Sequence, residues 1–273
     1  MMLEEITDTA CELLRFKSAA DTIPYAKEVA QYFGIGVEPP QDFGFWVSVV
    51  HFEMRYRSLT YFLERTTTSN VLEISSGFSY RGLDFCQTNP AMRYVDTDLE
   101  VIVHKKKEIL DTWRINAPVN FEIQSLDVRD FDTYPMMDGP VTILNEGLLL
   151  YFDKDEQERI LKNIHRFLCT YGGTWITADI YLKHETDRVG SDGDKKWDAF
   201  FRKKGVKQHL FESFEQAEQF FSANGFEVIE RYVPEFERYS GVARLFEHGT
   251  ALQLEALRNK GKVQETWHLK PIG

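Results

Sequence analysis

Hydrophobic residues recur at helical spacing through the first 66 residues of the chain. Three helices are predicted there: an apolar stripe that ends at Leu14, a segment from Pro24 to Gly34, and a long helix from about Phe45 to Arg65. The third helix is apolar on two nearly opposite faces, which is typical of a helix packed between two layers.

From Asn70 onward, short apolar runs alternate with helical patterns. Helices are predicted over Leu99–Trp113, Lys154–Leu168 and Ser213–Asn224. The predicted strands lie at Val71–Ile74, Met92–Asp96, Asn120–Leu126, Val141–Leu144, Thr174–Ile180, Phe226–Tyr232 and Glu265–Pro271. Strands joined by helical crossovers form parallel pairs with right-handed connections. The fold class predicted is therefore α/β, with a doubly wound, mostly parallel sheet.

Length and charge narrow the classes of function. The 273 residues fit one α/β domain with an extension better than two full domains. The formal net charge of −11 argues against a nucleic-acid or anionic-membrane partner, since no basic stripe is available to neutralise phosphates.

Cysteine usage and the N-terminal sequence bear on the compartment. The 3 cysteines are far apart and form no C-x-x-C pair, which is typical of reduced thiols. The N-terminus is acidic where a signal peptide is basic, and no apolar run reaches the roughly 18 to 20 residues of a membrane span. A cytoplasmic location is therefore expected.

The stretch Asn70–Gly82, NVLEISSGFSYRG, reads as a buried strand, a tight loop and a helix start. Small residues in such a loop let a ligand approach backbone N–H groups closely. The glycine pattern is incomplete, because Ser75 occupies the first position of G-x-G-x-x-G. An acid on the strand, Glu73, favours a cationic ligand over a dinucleotide pyrophosphate. An ordinary strand-to-helix turn is the alternative interpretation.

Four acids follow the apolar runs of four successive strands. They are Glu73, Asp98, Asp127 and Glu146. In open α/β sheets this end of the strands is the ligand-binding edge, although a single acid there is more often a helix cap or turn former. Four clustered acids call for cations or hydroxyl donors. S-adenosylmethionine supplies an amino group, a ribose diol and an adenine amine.

Arg57 falls within an apolar stripe of the third helix, between Met54 and Tyr61. A buried guanidinium is costly unless an anion meets it. The position is explained either by an internal salt bridge or by a clamp for a ligand carboxylate, for which arginine has suitable geometry.

These segments resemble the leucine carboxyl methyltransferase family, in its branch of tetracenomycin-type polyketide O-methyltransferases. The resemblance rests on LEISSGFSYRGLDF (72–85), YVDTDLEVIVHKKKEIL (94–110), LDVRDF (126–131), NEGLLLYFDKDEQERIL (145–161) and FESFEQAEQFFSANGFEV (211–228). It implies a seven-stranded class I methyltransferase sheet. Residues 1–66 would then form a helical cap and residues 67–273 a domain that binds S-adenosylmethionine.

The resemblance also implies roles for individual residues. Glu73 and the loop with Ser75 and Gly77 would hold the methionyl part of the cofactor. The remaining contacts would come from Asp98 to the ribose, Asp127 with Val128 to the adenine, Glu146 to the amino end, and Arg57 to the carboxylate. The chain departs from the family pattern at Ser75, which replaces a glycine, and at Tyr80, which replaces a proline. Serine resists a positive φ.

The reaction implied is an in-line displacement at a sulfonium methyl group by oxygen. A carboxylate acceptor is ionised at neutral pH and needs no base, whereas a hydroxyl acceptor benefits from one. Tyr151, Tyr181 and His184 follow the fourth and fifth strands, where an acceptor is expected. For Tyr151 the alternative interpretation is a pocket wall, and for His184 it is a solvated loop histidine. No His/Cys cluster has metal spacing, so no metal is expected.

Several functions remain open from the sequence. The acceptor is expected to be a small, polyketide-like metabolite, with a protein C-terminal carboxylate as the alternative. A nicotinamide-dependent oxidoreductase shares the fold and an acid about 20 residues beyond the loop, but it does not call for Glu73 or Glu146. A non-catalytic relative that keeps the fold as a binding module is the third possibility.

Overall fold

The computed structural model describes residues 11, 13–36, 42–183 and 206–273. Residues 13–17 are helical. The helices that follow are α1 (Ala26–Tyr32), α2 (Phe43–Leu63), α3 (Arg81–Thr88), α4 (Glu100–Trp113), α5 (Lys154–Tyr171), α6 (Val206–His209), α7 (Phe214–Ala223), α8 (Ser240–His248) and α9 (Ala251–Asn259). The strands are β1 (Asn70–Ile74), β2 (Arg93–Asp98), β3 (Phe121–Ser125), β4 (Val141–Asn145), β5 (Gly173–Tyr181), β6 (Phe226–Arg231) and β7 (Gln264–Pro271).

The seven strands form one sheet in the order β3-β2-β1-β4-β5-β7-β6. The first five strands are mutually parallel, and β7 runs antiparallel to both of its neighbours. The predicted doubly wound, mostly parallel sheet is confirmed. Because the chain moves outward from β1 to β3 and then returns to β4 on the other side, the sheet has a topological switch point between β1 and β4.

The turn between α5 and β5 depends on two glycines. Gly172 and Gly173 have φ values of 79° and 117°, a region that side chains rarely adopt. A Cβ at Gly173 would lie 1.9 Å from the carbonyl oxygen of Val141. Only glycine therefore lets β5 begin in register with β4. The opposite end of α5 is fixed by a capping box between Asp153 and Glu156.

Helices α8 and α9 lie in a segment where the sequence predicts no element. Helix α9 has no buried residue, so its apolar pattern is weak. Helix α8 is held from a distance: both oxygens of the fully buried Glu53 of α2 accept hydrogen bonds at its start, from Ser240 N (2.6 Å) and Gly241 N (2.9 Å). A partner so remote in sequence leaves no local signal.

Helix α2 shares a hydrophobic core with the sheet. Leu59, Phe62 and Leu63 pack in the same cluster as Val71 of β1 and Ile176 of β5. The two apolar faces predicted for this helix are thus accounted for, because its other side packs against α8. A helical cap that ends at residue 66 stays a prediction. Helix α2 itself packs in the same hydrophobic core as the sheet.

Candidate functional site

The carboxyl ends of the central strands lie side by side. Ile74 at the end of β1 pairs with Thr97 of β2 and Asn145 of β4, and Thr97 pairs with Gln124 of β3. The residues that follow these strands therefore meet at one edge, at the switch point of the sheet. Open α/β sheets bind ligands at this location.

The loop after β1 is a turn with two left-handed residues. Ser75 has φ 58° and Gly77 has φ 54°. Between them, Ser76 N donates to Thr97 O (3.0 Å), and Gly77 N donates to Asp98 Oδ2 (2.7 Å). The loop is thus attached to the end of β2, which places Asp98 directly beside it, as the order of motifs predicts.

Ser75 carries the backbone strain expected where a glycine is replaced. A left-handed conformation costs a non-glycine residue about 1–2 kcal/mol. Glycine at this position also makes the unfolded chain more flexible, at a cost of about 0.5–1 kcal/mol.

Ser75→Gly is therefore expected to raise the free energy of unfolding by about 0.5–1 kcal/mol. Urea denaturation measures the change. Ser79→Gly, in the same loop but outside the left-handed region, is the control and should destabilise the protein. Equal losses in the two variants would contradict the assignment of strain.

Glu146 after β4 is surrounded by three cations. Its Oε1 lies 2.8 Å from Lys17 Nζ and 4.0 Å from Arg55 Nη2, and its Oε2 lies 3.6 Å from Arg81 Nη2. Burial by itself raises the pKa of this carboxyl, but the three positive charges outweigh burial and lower the pKa to about 2. Glu146 is therefore ionised at neutral pH, and its stabilising contribution is lost only as the pH falls from about 4.5 towards 2.

The buried arginine of α2 is Arg55, not the predicted Arg57. Arg55 is buried between Glu146 and Asp179, with its Nη2 3.5 Å from Asp179 Oδ1. Arg57 is half-buried and forms no salt bridge with the described acidic residues. Two residues along a helix are about 200° apart, so the two guanidinium groups leave the helix on nearly opposite sides. The apolar stripe misleads here because both faces of α2 are covered.

Two guanidinium nitrogens at this edge have unused hydrogen-bonding capacity. Arg55 Nε and Arg81 Nη2 are buried and donate no hydrogen bond to any described residue. A buried donor that makes no hydrogen bond costs about 1–3 kcal/mol, although for Arg81 Nη2 the 3.6 Å ion pair with Glu146 Oε2 offsets part of this cost. Both belong to side chains that face Glu146, so this part of the edge has a surplus of donors suited to an anion.

Glu73 has internal partners. Its carboxylate accepts from Arg81 Nε (3.2 Å) and Tyr94 OH (2.7 Å), and the residue is 2% exposed. Arg81 also donates to Tyr56 O (2.8 Å) of α2. Glu73 therefore orients Arg81 at the start of α3, while its methionyl role stays a prediction.

Asp127 and Val128 follow β3 at the same edge. Asp127 accepts three hydrogen bonds from Arg129, at Oδ1 from the backbone N and Nε and at Oδ2 from Nη2, over 2.8–3.0 Å. These bonds lower the pKa of Asp127. An ionised carboxylate offers about four lone-pair positions, so Asp127 keeps capacity for one further donor. Val128 is buried, and its carbonyl accepts from Tyr134 OH.

Tyr181 at the end of β5 lies beside a residue that the sequence analysis misses, His51. Tyr181 OH and His51 Nε2 are 2.8 Å apart. Burial lowers the pKa of His51 to about 3 and raises the pKa of Tyr151 to about 12. These side chains are thus neutral at pH 7. His184 lies outside the described residues.

Asp179 is the second residue that the sequence does not reveal. It accepts from the backbone N–H groups of Gly147 (2.6 Å), Leu148 (2.6 Å) and Leu149 (3.0 Å), and from Asn145 Nδ2 (2.7 Å). It lies within β5, where an acid flanked by apolar residues has no local signature. Its bonds fix the loop that carries Glu146.

Two kinds of feature are absent from the described part of the chain. No group of three or more His, Cys, Asp or Glu side chains there is arranged to hold a metal ion. In the same residues no helix has both the length and the apolar character needed to cross a bilayer.

Comparison with known proteins gives structural neighbours only. No family model and no curated protein matches the sequence. The mitomycin 7-O-methyltransferase MmcR is similar over 90% of this chain and 63% of its own length, with 12% identity and a TM-score of 0.51. LaPhzM aligns over 98% of this chain and 70% of its own, with 14% identity and a TM-score of 0.50. The S-adenosylmethionine-dependent methyltransferase SibL aligns over 82% and 57%, with 12% identity and a TM-score of 0.50.

The strand order and these neighbours define the class: the chain has the class I methyltransferase fold, and that part of the prediction is confirmed. This chain spans about two thirds of the length of MmcR. Identities this low show the fold alone. The leucine carboxyl methyltransferase branch stays a prediction.

Proposed function

We propose that this chain is an S-adenosylmethionine-dependent O-methyltransferase that acts on a small molecule. The observation that carries the proposal is the buried cluster of Arg55 and Arg81 around the ionised Glu146. In this cluster Arg55 Nε and Arg81 Nη2 donate no hydrogen bond to any described residue, and Arg81 Nη2 is held only by its 3.6 Å ion pair with Glu146 Oε2. The amino-acid end of S-adenosylmethionine has the complementary charges. Its carboxylate suits the guanidinium donors, and its ammonium suits Glu146.

The other strand ends fit the rest of the cofactor. Asp98 beside the Gly77 loop would accept from the ribose hydroxyls, and Asp127 has capacity left for the adenine amine. Val128 would contribute a buried apolar contact, and Ser75 and Gly77 would border the methionyl chain. Arg55 takes the role that the sequence analysis gives to Arg57.

When bound, the cofactor supplies an activated methyl group. The residues of this chain would then hold the acceptor oxygen in line with that group, and such positioning can be worth roughly 7–11 kcal/mol. Tyr151 and Tyr181 are proposed as acceptor contacts, together with His184. His51 is hydrogen-bonded to Tyr181, and its lowered pKa makes the neutral ring a weak base, so this pair is proposed to orient the acceptor.

The acceptor is proposed to be a hydroxyl or carboxylate of a polyketide-like metabolite. The structural neighbour MmcR is an O-methyltransferase, which supports transfer to oxygen. A protein carboxyl terminus is the alternative acceptor within the leucine carboxyl methyltransferase resemblance.

Titration calorimetry tests the proposal with S-adenosylhomocysteine, the demethylated product of the cofactor. Wild type is expected to bind it in preference to NAD, and Asp98→Asn should weaken binding by about 1.5–3 kcal/mol, the range for hydrogen bonds to charged groups. Asp111→Asn, at an exposed position of α4, is the control.

Preferential binding of NAD would favour an oxidoreductase and contradict the proposal. Failure to bind any adenosyl ligand at millimolar concentration would favour a non-catalytic binding module.

A further inference from the structure

A fully buried lysine lies behind the cofactor loop. Lys106 of α4 is 0% exposed, and its Nζ donates to Asp96 Oδ1 (2.7 Å), Asp96 Oδ2 (2.6 Å) and Ser76 Oγ (2.9 Å). Ser76 Oγ in turn donates to Asp96 Oδ1 (2.5 Å). All three ammonium protons are thus directed at two side chains, and neither lies on the surface of the protein.

A buried ion pair adds little net stability to a core, because removing two charges from water costs free energy that their attraction must offset. Apolar residues of similar volume often serve equally well or better, so such a pair is weak evidence for stability alone. The better-attested use of buried polar groups is to select one arrangement over alternatives. The role of this pair therefore depends on which backbone segment it holds in place.

The ion pair is hydrogen-bonded to Ser76, the central residue of the strained turn. Ser76 lies between Ser75 at φ 58° and Gly77 at φ 54°. A serine in the left-handed region tends to relax to negative φ, and relaxation would move the neighbouring peptide groups. The hydroxyl of Ser76 is held by Lys106 and Asp96, while its backbone N–H is held by Thr97 O (3.0 Å). The turn cannot relax without breaking these bonds.

A hydrogen bond from the residue before helix α3 holds the backbone of Lys106. Tyr80, immediately before α3, donates from its hydroxyl to Lys106 O (2.9 Å). Tyr80 is one of the two departures from the family pattern, and Ser75 is the other. The charge of Lys106 also favours the ionised form of Asp98, whose pKa burial raises. The same lysine thus affects both the shape of the loop and the charge beside it.

We infer that Lys106, Asp96 and Ser76 form a positioning triad that keeps the Ser75–Gly77 turn in its cofactor-binding conformation. The inference rests on the proposed function. The three side chains bond to one another, and the triad compensates for the backbone strain of Ser75 in the loop. Removing the need for compensation should therefore remove most of its effect.

A double-mutant cycle between Ser76→Ala and Ser75→Gly tests this compensation. Ser76→Ala keeps the Lys106–Asp96 pair and so should fold. By calorimetry, Ser76→Ala is expected to weaken S-adenosylhomocysteine binding about tenfold (about 1.4 kcal/mol). In the Ser75→Gly background the same change should cost less than about twofold. Thr88→Ala, which deletes an exposed hydroxyl at the end of α3, is the control.

A second variant removes the charges together. Asp96→Asn/Lys106→Met avoids an unpaired buried charge and should also weaken binding about tenfold, again with little effect when residue 75 is glycine. Equal losses in the serine and glycine backgrounds would overturn the inference. A lower melting temperature with unchanged affinity would overturn it as well, since that is the signature of a purely structural pair.

Amide hydrogen exchange separates this inference from the proposed function. If wild type binds no S-adenosylhomocysteine, the proposed function fails, and the exchange rate of Gly77 N–H still reports opening of the turn, because this group donates to Asp98. Ser76→Ala should speed exchange about tenfold (about 1.4 kcal/mol), and Ser75→Gly should restore it. Unchanged exchange in Ser76→Ala would overturn the triad.

Discussion

Replacing Arg55 with leucine is expected to weaken the binding of S-adenosylhomocysteine by about 10- to 150-fold, which corresponds to the 1.5–3 kcal/mol of hydrogen bonds to charged groups. Its Nε is a buried donor with no acceptor among the described residues, and its Nη2 lies 4.0 Å from Glu146 Oε1. A ligand carboxylate would satisfy the donor without competing with Asp179. Calorimetric titration measures the loss.

Arg57→Leu is the matched control, because it removes the same side chain two residues along the same helix. Arg57 is half-buried and outside the Glu146 cluster, so this variant should bind like wild type. The far-ultraviolet circular dichroism of both variants confirms that each is folded. If Arg57→Leu loses affinity and Arg55→Leu does not, the helix has been assigned the wrong arginine.

Replacing Arg81 with methionine is expected to lower the free energy of unfolding by about 3–5 kcal/mol, the cost of breaking a buried ion pair by removing one partner. The change leaves the carboxylate of Glu73, 2% exposed, with Tyr94 OH as its one hydrogen-bond donor among the described residues. It also removes the bonds from Nη1 to Tyr56 O (2.8 Å) and Thr60 Oγ1 (2.5 Å), which tie α3 to α2. Urea denaturation measures the loss.

Arg93→Met is the comparison for a half-exposed pair. Arg93 lies 2.8 Å from Glu122, and the two side chains are 31% and 36% exposed. Pairs of this kind contribute about 0–1 kcal/mol. Neutralising the stranded acid in Arg81→Met/Glu73→Gln should recover part of the stability. Similar losses for Arg81→Met and Arg93→Met would show that the buried pair contributes no more than a half-exposed one.

The sheet follows closely from the sequence because each strand carries its own signal. The apolar runs and the small residues after them predict all seven strands, with β2 extending two residues further than expected, to Asp98. The acids at the ends of β2 and β4 converge for a topological reason: parallel neighbours in register bring their carboxyl ends to one edge. No tertiary information is needed for this step.

The partners of those acids could not be predicted in the same way. Lys17, Arg55 and Arg81 reach Glu146 from three different elements, and His51 meets Tyr181 across 130 positions of sequence. A helical wheel offers two arginines on α2 and no means to choose between them when both faces are covered. Tertiary packing makes that choice, and it likewise determines where Asp179 and Lys106 find their partners.

The central claim is that Arg55, Arg81 and Glu146 receive the amino-acid end of an adenosyl cofactor. Its most direct test is a calorimetric comparison of S-adenosylhomocysteine with 5′-methylthioadenosine, which keeps the nucleoside and the thioether but lacks the amino acid. Wild type should bind S-adenosylhomocysteine at least about tenfold more tightly (about 1.4 kcal/mol), and Arg55→Leu should lose that preference while binding 5′-methylthioadenosine unchanged. Equal affinity of wild type for the two ligands would contradict the account.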